Sequence, residues 1–142
     1  MKKILLITSI IMAAVSCNTS NPFLTGWDTP YGIPDFTQIQ EKHYIPAIEI
    51  GIRQQQGEID AIIANPDAPT FENVVEAYER SGAILDRVSM VLFNISESDA
   101  TESLQKIVEE ALPLISVHSD NIFMNPYFFK KVEALYSQID EL

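Results

Sequence analysis

Two histidines and one cysteine are the side chains of this 142-residue chain best suited to metal or nucleophilic chemistry. A zinc peptidase needs two imidazoles one helical turn apart, a carboxylate general base between them and a further ligand. The HExxH spacing that supplies them is absent, since His43 is followed by Tyr44 and His118 by Ser119, with no third histidine. Nothing in the spacing selects a metal site built from His43, His118 and a carboxylate. His118 falls on an apolar stripe and reads as a satisfied core or groove histidine, whereas His43 reads as support for the start of a helix. No G-x-S-x-G elbow surrounds a serine, and the five glycines are too scattered to cradle a phosphate. Neighbouring carboxylates such as Glu109 and Glu110 read as a solvated helix face. The residues offer no catalytic group and no metal ligand.

The cysteine has a different setting. Residues 1–17 read MKKILLITSIIMAAVSC. Lys2 and Lys3 form a basic start, Ile4 to Val15 an apolar run, and small Ser16 precedes Cys17, which is the organisation of an export signal. The run is shorter than the ~20 apolar residues that span a bilayer as a helix. Ala14-Val15-Ser16-Cys17 resembles a bacterial lipobox, with Ala14 where leucine is commoner. That resemblance implies cleavage between Ser16 and Cys17 and acylation of the Cys17 thiol. The alternative is an ordinary cleaved signal with an incidental cysteine. A lone thiol has no disulfide partner within the chain, which fits the lipid reading. The lipidated chain would sit in a bacterial cell envelope, facing the periplasm.

Three regions follow: the signal 1–16, a lipidated cysteine with tether and Pro/Gly/aromatic arm 17–36, and a helical domain 37–142. Pro22, Pro30, Pro34, Gly26 and Gly32 forbid a long regular element in the arm. Its aromatics Phe23, Trp27, Tyr31 and Phe36 predict order without secondary structure. Thr37 with Gln40 reads as a capping box opening a short turn. Ile45, Ile48, Ile52, Ile59 and Ile62 keep helical spacing from about Tyr44 to Ala64, with Pro46 tolerated near the start. Gly51 and Gly57 weaken that helix by ~1 kcal/mol each relative to alanine. Asn65-Pro66-Asp67-Ala68-Pro69 is a turn.

Thr70 caps a second helix, with Glu72 near its positive end. Its stripe runs unbroken from Phe71 through Val75, Tyr78, Gly82 and Leu85 to Leu92, and Gly82 marks a close helix approach or a tolerated glycine. Asp99 and Glu102 open a third helix, which Pro113 is expected to kink. Asn125-Pro126 caps a fourth, carrying Phe128, Phe129, Val132, Leu135 and Tyr136 and still running at Ile139, which reads as a hint of truncation. No period-two run supports a sheet. The predicted fold is all-α, in antiparallel helical hairpins.

The net charge is −11, from 9 basic against 20 acidic residues. With Lys2 and Lys3 removed in the signal, 7 face 20. Such a chain repels nucleic acid and carries no basic aromatic stripe as an exception.

Four stretches in order resemble the N-terminal region of the thimet oligopeptidase family of zinc peptidases, on its oligopeptidase A and peptidyl-dipeptidase branch. They are Asn21-Pro22-Phe23-Leu24 with Trp27; His43-Tyr44-Ile45-Pro46-Ala47-Ile48; residues 65–94 around Pro69-Thr70-Phe71-Glu72-Asn73; and Pro113 with His118-Ser119-Asp120 and Asn125-Pro126. The resemblance implies a helical wall of a deep channel that admits short peptides. It also implies a zinc site, from HExxH and a further Glu, in a C-terminal catalytic half beyond the position of Leu142. No catalytic or zinc-binding family residue maps onto this chain. The implied partners are short peptides, that catalytic half, and a membrane through Cys17. The competing reading is a stand-alone helical lipoprotein that binds peptides or a partner protein without catalysis.

Overall fold

The computed structural model describes residues 21–138; Ser16 and Cys17, with the signal, lie outside them. Four α-helices carry the fold: α1 Tyr44–Ala64, α2 Ala83–Ser98, α3 Glu102–Phe123 and α4 Pro126–Tyr136. A π-helical turn, Phe71–Glu76, and a short α-turn, Ala77–Glu79, lie between α1 and α2. The described residues contain no strand, so the fold is all-α as expected. Helix α1 is the centre and packs against α2, α3 and α4.

Local chemistry explains where most elements start. Thr70 and Asn73 bond reciprocally: the Asn73 N–H donates to Thr70 Oγ1 at 3.2 Å and the Thr70 N–H to Asn73 Oδ1 at 2.8 Å. The Asn73 amide also donates to the Ala68 carbonyl at 2.9 Å. Hydrogen bonds from its own backbone N–H and from Thr70 hold the Glu72 carboxyl below its usual range. Asn125 Oδ1 accepts from Tyr127 and Phe128 N–H at 2.9 and 3.2 Å, capping α4 ahead of Pro126. Asn125→Ala should lower stability by about 1 kcal/mol, read as a shift in the urea midpoint at constant slope.

Several expectations needed revision. The cap before α1 lies at Gln40–His43, not Thr37–Gln40. The Gln40 N–H donates to His43 Nδ1 at 3.1 Å, while the Thr37 N–H is drawn off to Asp35 Oδ1 at 3.1 Å. Helix α3 is capped by Thr101, whose hydroxyl accepts from Leu104 N–H at 3.1 Å. Asp99 instead ends α2. Pro113 lies inside the continuous α3, in keeping with a stripe that holds its phase across it. Helix α4 ends at Tyr136, and Ile139 lies outside the described residues.

The unbroken helix expected from Phe71 to Leu92 is broken at Gly82, whose φ of +77° interrupts the right-handed ladder. Glu58 on α1 takes the Gly82 N–H at 2.7 Å. A Cβ at Gly82 would collide with the Gln55 amide. Phe71, on the far side of the break, is half exposed.

Two apolar clusters lie along α1. The larger joins Phe23, Ala47, Ile48, Val88, Leu92 and Ala111, and the smaller joins Ile59, Ile62, Ile122 and Phe128. Tyr78 edges into the smaller, its ring 5.6 Å from Phe128 and 5.8 Å from Phe123. The arm divides. Phe23 is fully buried, its ring 5.2 Å from Tyr44 and 6.3 Å from Trp27. Tyr31 is 98% exposed and packs on nothing. Arg87 fastens the ordered part: its guanidinium donates to the Phe23 and Thr25 carbonyls at 2.7 and 3.0 Å and stands 5.4 Å over the Trp27 ring.

Candidate functional site: a groove between α1 and α3

A groove of about 490 Å³ opens between α1 and α3. Ile52, Arg53 and Gln56 form one wall, and Pro113, Leu114, Val117, His118 and Asn121 the other. The helical period explains the second wall. Residues 114, 117 and 121 share one flank of α3, beside the face that buries Leu104, Ala111 and Ile122. The lining is mainly apolar, with Arg53, Gln56, His118 and Asn121 as polar points. Such a surface accepts an apolar side chain or helix edge.

Behind the groove runs a polar relay from α3 across α1 to the turn before α2. His118 Nε2 lies 3.0 Å from Gln55 Oε1. The Gln55 amide donates to Ser81 Oγ at 3.2 Å, and the Ser81 hydroxyl donates to the Tyr78 carbonyl at 2.7 Å. Because the Gln55 nitrogen is already donating, its oxygen is the acceptor, and the proton sits on His118 Nε2. His118 and Ser81 are both buried, and together with Gln55 they tie α3 through α1 to the break before α2. His118 was legible as a groove histidine. Gln55 was missed, and its only signal is a polar residue four positions from both Gly51 and Ile59 on the α1 stripe.

Burial pushes the His118 imidazole below its usual value. Burial, then the Lys42 charge, does the same to His43. Both are therefore harder to protonate folded than unfolded. That stability is fully present above the ordinary histidine range near 6.5 and is lost as pH falls through it toward the folded values. Between pH 7.5 and 5.5 the urea midpoint should drop. His118→Gln should flatten the drop, whereas an unchanged slope would remove His118 as its source.

The histidines do not form a metal site. His43 Nδ1 accepts the Gln40 N–H and His118 Nε2 is committed to Gln55. Among the described residues, no three His, Cys, Asp or Glu side chains gather to hold an ion. This donor set does not fit zinc. Titrating zinc into the 142-residue chain by calorimetry should give no tight one-to-one binding; a stoichiometric site would contradict this geometry.

Comparison with known proteins places the chain. It is 37% identical over 120 residues to the dipeptidyl carboxypeptidase of Salmonella typhimurium, covering 84% of this chain and 18% of that protein. It is 36% identical over 124 residues to the dipeptidyl carboxypeptidase of Escherichia coli, covering 87% of this chain and 18% of that one. The chain is homologous to the thimet oligopeptidase family. Oligopeptidase A of Escherichia coli, from the same thimet oligopeptidase family, is 24% identical over 116 residues, 82% of this chain and 16% of that protein. No family model matches the chain. These thimet oligopeptidase homologues are peptidases, and the chain spans under a fifth of their length.

Proposed function

We propose that this chain is the N-terminal helical segment of a lipid-anchored zinc peptidase that hydrolyses short peptides, and that it contributes a channel wall rather than catalytic groups. The observation that carries the reading is the similarity itself. More than four-fifths of the chain aligns with proteins named dipeptidyl carboxypeptidase, yet it accounts for only 18% of their length. In this reading the zinc ligands and the general base belong to the remaining polypeptide. The groove and the arm shape and support the wall, which affects which peptides reach the reacting centre. Cys17 carries the lipid and holds the enzyme at the cell envelope.

The test is the intact mass of the native protein, captured with an antibody against residues 37–142. A mass several-fold above 15.9 kDa, with peptide hydrolysis lost on chelation and restored by zinc, is the expected result. A mass near 15.9 kDa would overturn the peptidase reading and leave a stand-alone binding lipoprotein. The anchor has its own test: labelled fatty acid should enter the wild-type protein and not Cys17→Ser.

A further inference from the structure

The distribution of exposed apolar side chains is uneven. Of the 14 large hydrophobic side chains exposed among the described residues, nine fall between Leu112 and Tyr136, whereas the 21-residue α1 contributes none. On α3, Leu114 and Val117 share the flank that forms the groove wall, with Val117 59% exposed, and Met124, the residue that follows α3, is 80% exposed. On α4, Phe129, Val132 and Tyr136 share one flank beside the buried Phe128 and Leu135. Monomeric soluble proteins rarely leave so much apolar helix surface without a partner.

We propose that the α1–α3 groove and the exposed flanks of α3 and α4 are the docking surface for an apolar helical segment of the remaining polypeptide. The inference rests on the reading of the chain as one segment of a longer peptidase. The relatives supply the reason for choosing this occupant, since more than four-fifths of their length has no counterpart in this chain. The chemistry agrees. A groove of about 490 Å³ whose apolar surface comes from Ile52, Pro113, Leu114 and Val117 takes one or two bulky apolar side chains from an adjoining helix. Gln54 of α1 is exposed on the flank turned away from Ile52, Arg53 and Gln56, and it stays free.

The test uses the protein expressed from its complete gene, with single cysteines placed at Val117 (V117C) and Gln54 (Q54C). Both positions are exposed, so neither substitution disturbs the core. Maleimide labelling rates are read on the native protein and again after unfolding in urea. The expected result is that V117C labels about tenfold more slowly than Q54C when native, with the difference gone when unfolded. Equal native rates in a long protein overturn the docking inference and leave the peptidase reading standing. A native mass of only the 142-residue chain overturns both. Protection of V117C that vanishes on dilution assigns the surface to a second copy. Protection that needs an added short peptide assigns it to substrate. Either result sinks the proposed occupant.

Discussion

Phe23→Ala should lower the unfolding free energy by about 3–5 kcal/mol, the usual cost of emptying a fully buried aromatic site. Phe23 lies outside every helix, in an arm expected to hold no secondary structure whose prolines and glycines in fact leave room for one short 3-10 turn, Pro30–Gly32. Its ring is nonetheless wholly enclosed between Tyr44 and Trp27. Side-chain-to-backbone bonds fix the segment from both sides. The Asn21 side-chain amide donates to the His43 carbonyl at 2.7 Å, and Arg87 grips the Phe23 carbonyl from α2. Removing the ring opens a cavity that this fixed frame cannot easily close. Urea unfolding of wild type and variant, compared at equal slope, measures the loss. A change below 1 kcal/mol would mean that the arm is not part of the cooperative fold.

Gly51→Val should cost about 1–3 kcal/mol through overpacking. A Cβ at Gly51 would stand 2.8 Å from the Leu85 backbone nitrogen and 2.9 Å from its Cα. Neither is a flexible side chain that could swing aside. Helices α1 and α2 therefore meet backbone to side-chain position at this glycine, and any branched residue must push them apart. Gly57→Ala is the control, because nothing lies within 4 Å of its would-be Cβ. There, alanine should stabilise by up to about 1 kcal/mol through helix propensity. Opposite signs at two glycines of one helix, seen in thermal or urea unfolding, would separate close packing from propensity. Matching signs would count against the backbone contact.

These two glycines show what a linear reading can reach. Propensity treats Gly51 and Gly57 alike, because it concerns only the chain against itself. Their difference depends on where Leu85 arrives, 34 residues later. Gly82 failed in the opposite way. On the apolar stripe it looked like one more helical position, since a left-handed φ leaves no mark in hydrophobic periodicity. Its conformation became evident only with Glu58 and Gln55 of α1 beside it. The cap before α1 moved for a local reason instead, as Asp35 captured Thr37 and freed the Gln40 N–H for His43.

By itself the sequence determined that the described fold is all-α, that α1 runs from Tyr44 to Ala64, that Thr70 and Asn125 start new elements, and that His43 and His118 have structural settings. Those features depend on short-range rules of period, capping and turn chemistry, which act within a few residues. It also carried the ordered segments shared with the thimet oligopeptidase family. Only the tertiary structure decided that Phe23 is core while Tyr31 is solvent, that Gln55 links His118 to Ser81, and that a groove forms between α1 and α3. Each of those outcomes depends on which distant surface arrives at a given side chain, and helical periodicity is silent on that.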